Sequence, residues 1–327
     1  MSVWSPVEID FSKISFEEDI ASLKKKESFI KRYYYGFIAG IIVVLMSSFL
    51  WLAINQFPFF ILFIILSFFL FVWLHASILS LKKGLIKLKV AEKNKWVYSP
   101  ARSTYLFSLF SQRFKRFFYE ETSTLRSRRY TPFFEHVFWG AFDKQTNSYD
   151  FMAGDFNYYV ERSSGKDRSI VRYTDHFFIV RMRTDIKGEF RLYSKNIASR
   201  ITNFFFKQNI VTESIDFNNS FSFSYQNNDS ETKVDIMSVL SPVVIEDLVS
   251  FYKVKAGTAR SMGGVRILFE QECIVFTAPG SLLPNKKGLR LSSLDVSEED
   301  TAVMQDRLDL FFELASKLST SLTNSEY

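Results

Sequence analysis

The sequence predicts an α+β protein. It has an N-terminal two-helix transmembrane hairpin, then juxtamembrane helices, then a cytoplasmic, mostly antiparallel sheet domain with helices. Three observations lead there. Residues 33–81 contain no Asp, Glu, Lys or Arg. Residues 82–129 carry 13 basic residues against three acidic ones, whereas residues 130–327 carry 22 basic against 26 acidic. From residue 130 onward, short aromatic and β-branched runs alternate with turn residues, the texture of strands rather than of a helical bundle.

Residues 1–32 begin with an irregular stretch containing Pro6, followed by Ser15-x-x-Glu18 as a capping box. Phe16, Ile20, Leu23 and Phe29 then make a weak apolar stripe leading into the first span. Residues 36–54 and 59–81 flank Asn55-Gln56-Phe57-Pro58, and each is close to the roughly 20 apolar residues that cross a hydrocarbon core. A soluble helical hairpin would carry polar residues along one face of each helix; these are apolar all round. Lys24, Lys25, Lys26, Lys31 and Arg32 precede the pair, and Lys82, Lys83, Lys87, Lys89, Lys93 and Lys95 follow it, while the turn is uncharged. The positive-inside rule therefore places both termini in the cytoplasm, in a multi-pass membrane protein. A cleaved signal peptide fits poorly, since acidic residues precede the apolar run and no small-residue cleavage site follows it. In the first span, Gly36 and Gly40 form a GxxxG, a spacing that lets another helix approach closely in lipid, either the second span or another protomer. His75, beside Trp73, reads as a neutral interfacial residue, because neither span offers a carboxylate to complete a proton relay.

Past the second span, Ile78, Leu81, Leu85 and Leu88 keep a helical stripe, so the helix is expected to run to about Lys95, with Ser99-Pro100 ending it. Juxtamembrane lysines beside anionic headgroups gain about 1 kcal/mol each, which makes Lys24, Lys25, Lys26, Lys82, Lys83, Lys87 and Lys89 the candidate lipid contacts. The adjacent bilayer accounts for the basic patch, so nucleic acid is not expected as a partner. Residues 105–119 interleave Leu106, Leu109, Phe110, Phe114, Phe117 and Phe118 with Arg113, Lys115 and Arg116. This amphipathic helix lies on the headgroups or packs on the following domain.

In residues 130–327, strands are expected at 156–160, 177–183, 189–193, 210–212 and 221–225, with 265–269 and 273–277 as a hairpin. Ser163-Ser164-Gly165 and Lys187-Gly188 are turn signals between them. Helices are expected at 197–207, from Ser241-Pro242 with serine as N-cap, and from Ser297 through Met304, Leu308, Phe311, Phe312, Ala315 and Leu318.

The chemistry-bearing residues are few. No phosphate-binding glycine loop and no HExxH is present, and Cys273 alone provides neither a disulfide nor a multi-thiolate metal site. Glu135-His136 and Asp175-His176 are adjacent pairs, which strand geometry sends to opposite faces. No catalytic residue, cofactor or metal is expected.

Glu213, Phe217, Phe221, the acidic segment 229–235, Leu240-Ser241-Pro242 and the helix after them resemble the uncharacterised bacterial membrane-protein family DUF-3137, hairpin-anchored proteins often described beside LemA-type proteins. The hairpin at 265–277 fits that family's strand pair, while Asp235-Ile236-Met237 departs from its Glu-Ala-Arg and keeps the acidic position only. The resemblance implies a two-span anchor and a cytoplasmic domain and carries no activity with it. The expectation is therefore a non-enzymatic membrane-anchored protein whose cytoplasmic domain binds a protein partner or itself as a scaffold. A small-ligand sensor signalling through the hairpin is the alternative, and a membrane-surface enzyme is the less favoured third reading.

Overall fold

Among the described residues, eight strands form one sheet in which every neighbouring pair is antiparallel. The computed structural model describes residues 4–14, 16–55, 59–114, 117–118, 131–144, 147–164, 167–182, 189–194, 212–225, 239–256, 264–270, 272–281 and 296–323. The strands are β1 (Val97–Ser99), β2 (Phe133–Lys144), β3 (Asn147–Ser164), β4 (Asp167–Arg181), β5 (Phe190–Ser194), β6 (Phe221–Tyr225), β7 (Arg266–Phe269) and β8 (Cys273–Pro279). Their spatial order is β1-β2-β3-β4-β8-β7-β5-β6. The mixed helix and antiparallel sheet is the α+β class expected. The expected helix at 197–207 and strand at 210–212 fall wholly or mostly outside the described residues, as does the Ser15 capping box.

Both faces of the sheet are buried, and phenylalanine does most of the covering. On one face Phe138, Phe142, Phe151, Phe178, Ile274 and Phe276 meet the C-terminal half of α2 (Phe59–Asn94), the short α4 (Ile215–Ser220), α5 (Pro242–Ala256) and α6 (Glu298–Thr323). There Phe312 of α6 stacks on Phe142 at 4.1 Å and meets Phe151 edge-on at 5.1 Å. On the other face Phe134, Trp139, Phe156, Phe177 and Val275 are covered by α3 (Thr104–Arg113), by the N-terminal segment, and by Phe114, Phe117 and Phe118. The Phe118 ring is set edge-on to Phe134 at 5.4 Å and Phe156 at 5.3 Å. These buried phenylalanines are thus the two inner layers of a three-layer domain.

The helix ends follow local rules. Ser103 caps α3 by accepting from Leu106 N at 3.1 Å. Ser241 accepts from Val244 N at 3.4 Å ahead of Pro242. Ser297 and Asp300 exchange side chain-to-amide bonds, both 3.1 Å, at the start of α6. α2 stops at Asn94, before Ser99-Pro100, because Lys95 turns left-handed (φ 58°) and Trp96 N bonds back to Ala91 O at 2.9 Å.

Residue 130 is not a domain boundary. β1 is an edge strand paired with β2 from Val97↔Trp139 to Ser99↔Val137, and Leu106, Phe107 and Phe110 of α3 are buried on the sheet. Residues 82–129 were read as a separate basic segment, yet their described part supplies one edge and part of both covering layers. α3 packs on the domain rather than on headgroups, because its apolar face is used there.

α1 (Phe16–Asn55) and α2 are antiparallel neighbours. Their bases are embedded: Phe16 meets Trp139 edge-on at 5.6 Å, and Ile20 and Leu23 pack on the core. Farther along they emerge, and Val43, Met46, Leu66, Phe68, Phe69 and Trp73 are exposed. Among the described residues one stretch, Phe68–Asn94, is long and apolar enough to cross a membrane by length and composition.

Candidate functional site

The densest group of ionisable side chains lies where α2 crosses a bulge in β2. Glu135 pairs with Asp155 and Phe138 with Ala153, so His136 and Val137 together face Gly154. His136 takes a left-handed φ of 56°, and Gly154 leaves the room this needs: a Cβ there would sit 3.0 Å from the Phe177 ring and 3.3 Å from His136 O. Lys87 of α2 reaches down to Asp155 at 2.5 Å, and Ser281 Oγ donates to the same carboxylate oxygen at 2.9 Å. Beside them Tyr98 Oη lies 2.7 Å from His136 Nδ1, with the two rings stacked.

The protonation equilibria of His136 and Tyr98 are displaced away from neutrality, while those of Lys83 and Glu135 move toward it. Burial, then the charges of Lys87 and Lys83, pushes the His136 imidazole down to about 3. Burial, reinforced by the Asp155 and Glu135 charges, pushes the Tyr98 hydroxyl well up. Burial and the Lys87 charge lower Lys83, and burial raises Glu135 against the attraction of Arg172. General acid–base work needs groups that exchange a proton near the working pH. His136 and Tyr98 are held the other way, so the seam is suited to fixing α2 on the sheet.

A second clamp lies one and a half turns earlier. Lys82 pairs with Asp300 at 3.2 Å, and both side chains are almost wholly buried. Burial would raise the Asp300 carboxyl, but the Ser297 amide and Lys82 outweigh it and hold it below its ordinary value. Lys89 Nζ donates to Val296 O at 2.9 Å and Asn94 to Gln305 at 3.0 Å, so α2 grips the start of α6 at several points.

The seven lysines read as lipid contacts therefore divide. Lys25 and Lys26 are exposed, and Lys24 is exposed with Glu92 at 3.1 Å. Lys83 is half-buried, and Lys89 is exposed but bonded to α6. Lys82 and Lys87 are each 1 % exposed and ion-paired inside the domain, so their ammonium groups do not reach headgroups. The signal that would have found this is Asp155, a lone acid in the apolar run Phe151-Met152-Ala153-Gly154-Asp155-Phe156, which needs a buried cation.

The remaining singled-out residues are placed as follows. A Cβ at Gly36 or Gly40 would meet nothing within 4 Å, so neither glycine is used against α2. His75 is exposed. Asp175 and His176 do point apart: Asp175 pairs with Arg266 at 3.3 Å on one face, whereas His176 Nδ1 lies 2.8 Å from Gly280 O and its ring meets Phe311 on the other. Cys273 is buried, its thiol donates to Glu270 at 3.7 Å, and burial pushes its pKa far up, the opposite of an activated nucleophile. Among the described residues no group of three or more metal-ligating side chains comes together. A shallow groove of 540 Å³ lies along α1, lined by Lys24, Glu27, Ser28, Lys31 and Arg32. Two of its three cations are already paired, Lys31 with Glu27 at 3.0 Å and Lys24 with Glu92. No family model, curated protein or solved structure matches the chain.

Proposed function

We propose that this chain is a membrane-anchored, non-enzymatic protein of the bacterial inner membrane. The α1–α2 hairpin spans the bilayer, both termini are cytoplasmic, and the three-layer sheet domain serves as a rigid platform for a protein partner or a second copy. One observation carries the reading: α2 is a single helix whose first part exposes Ile65, Leu66, Phe68, Phe69, Val72 and Trp73, while its last part is buried in the domain. Such a continuous apolar surface is costly in water and natural in lipid. The two buried ion pairs hold the domain in one pose against the anchor, which is useful to a scaffold.

The ligand-sensor reading calls for a pocket of converging polar groups in the sheet domain. The groove among the described residues lies on α1 instead, and its cations are largely paired. The enzymatic reading calls for an accessible, poised group, and Cys273, His136 and Tyr98 are buried with pKa values displaced from neutrality.

The test uses the buried state of the one native cysteine, which leaves engineered thiols distinguishable. Asn55→Cys at the hairpin end and Asp143→Cys on the far side of the sheet should react with an impermeant maleimide from opposite sides of the membrane. Labelling of both from one side contradicts the anchor.

A further inference from the structure

α1 carries a block of charge immediately before its apolar part. Residues 24–32 hold five cations, Lys24, Lys25, Lys26, Lys31 and Arg32, and one carboxylate, Glu27. The next charged residue is Lys82. α1 is one unbroken helix from Phe16 to Asn55, so Arg32 stands about 1.5 Å of rise from the start of the uncharged run. Glu17, Glu18 and Asp19, the other acids of α1, lie in its first turn, at least about 7.5 Å below Lys24.

The 540 Å³ groove lies within this block. Lys24, Glu27, Ser28, Lys31 and Arg32 line it at i, i+3, i+4, i+7 and i+8, so they share one side of the helix. Glu27 takes up Lys31 at 3.0 Å, and Glu92 of α2 takes up Lys24 at 3.1 Å. Arg32 is the cation left over: among the described residues no carboxylate pairs with its exposed side chain. Ser28, one turn earlier, is likewise exposed with no hydrogen-bond partner among the described residues. Residues so spaced stand about 5–6 Å apart at Cβ, close enough for a guanidinium and a hydroxyl to meet one anion. Beside the groove the Phe29 and Tyr33 rings lie 4.8 Å apart and are 63 % and 52 % exposed.

We infer that this groove is a headgroup site for an anionic phospholipid. Arg32 and Ser28 take its phosphate, and its acyl chains follow the apolar part of α1 past Phe29 and Tyr33. This rests on the anchored reading of α1–α2 and adds to it the ligand and the residues that hold it. A guanidinium offers two parallel N–H donors to two phosphate oxygens. With Lys31 and Lys24 neutralised by Glu27 and Glu92, the lining presents a single net positive charge, matched to a monoanionic phosphodiester. A lipid is the source because a soluble anion gains nothing from exposed aromatic rings and an adjoining uncharged helix, whereas tyrosine at a membrane–water boundary is favourable.

The test is native mass spectrometry of the full chain in detergent micelles titrated with phosphatidylglycerol or phosphatidylcholine. In parallel, Phe68→Cys carries a fluorophore in nanodiscs and reports the anchor. Phosphatidylglycerol should be retained in preference to phosphatidylcholine. Ser28→Ala/Arg32→Gln, at two exposed positions, should weaken that retention about tenfold or more through the lost charge-assisted bonds. Lys25→Gln/Lys26→Gln removes more charge outside the lining and should change little, and inorganic phosphate should not displace the lipid. Equal loss in the two double variants reduces the effect to surface charge and overturns the site, as does equal retention of the two lipids. Displacement by inorganic phosphate at concentrations comparable to the lipid assigns the groove to a soluble anion and overturns the lipid. Quenching of the residue-68 probe by spin-labelled acyl chains, alongside any of these three results, leaves the anchor standing. Absence of that quenching overturns anchor and site together.

Discussion

Replacing Lys87 with Met removes the cation from a pair whose side chains are 1 % and 5 % exposed. Methionine keeps the apolar stem, so packing between α2 and the sheet is nearly conserved and the change isolates the charge. Asp155 is then left as a buried carboxylate with Ser281 still donating to it. Breaking a buried pair from one side costs about 3–5 kcal/mol, whereas removing an exposed cation costs about 0–1 kcal/mol. The full chain in detergent micelles, unfolded by denaturant with emission read from Trp96 and Trp139 against the core, should therefore lose about 3–5 kcal/mol in Lys87→Met. Lys87→Met/Asp155→Leu should recover most of it, because an apolar replacement of similar volume is often neutral or better. Loss below about 1 kcal/mol in the single variant, with no recovery in the double, would show a solvated Lys87 and refute the clamp.

His136 gives a pH dependence with a defined sign. Its folded pKa of about 3 lies below the ordinary 6.5, so the unfolded chain binds the proton first and stability falls as pH drops below 6.5. Between pH 6.5 and pH 5 this amounts to about 1.6 kcal/mol, a slope that His136→Gln should remove when denaturation is compared at the two pH values. Lys95→Gly should raise stability by about 0.5–1 kcal/mol, since glycine takes the left-handed φ of 58° without the steric cost a lysine carries; no gain would mean the α2 end relaxes otherwise. Gly36→Leu/Gly40→Leu should disrupt crosslinking between copies while leaving the hairpin intact, because the space beside both glycines is open within one chain; equal effects from Val43→Leu/Val44→Leu would reduce the glycines to composition. A chain beginning at residue 130 should fail to unfold cooperatively, since it lacks β1, α3 and the buried Ile86, Leu88, Val90 and Ala91 of α2. Cooperative unfolding of that fragment would restore the boundary.

What the sequence made legible was whatever a local rule decides. Ser241-Pro242 and Ser297 with Asp300 announce α5 and α6 by capping chemistry, and the runs at 221–225, 265–269 and 273–277 appear as β6, β7 and β8. β2 and the first half of β3 went unread. They are rich in Phe and Trp, but Glu135, His136, Asp150 and Asp155 interrupt the apolar alternation, and the bulge shifts its phase in the middle. The fate of Lys82 and Lys87 was hidden for a different reason. Beside a membrane span a lysine and a lipid phosphate are the expected pair, and only the packing of a strand far along the chain brings Asp155 beneath one and the start of α6 beside the other. The β3–β4 ribbon was half visible: Ser163-Ser164 is a turn signal, but the length of the ribbon depends on where its neighbours end.

The central claim is that anchor and domain form one body through an unbroken α2. Spin labels at Phe68→Cys and Asp306→Cys report it directly, since one lies on the exposed apolar part of α2 and the other on the exposed side of α6. Pulsed dipolar spectroscopy of the full chain in nanodiscs should give a single narrow distance distribution, unchanged by temperature across the stable range. A broad or two-peaked distribution would place a hinge between the two labels and contradict the account.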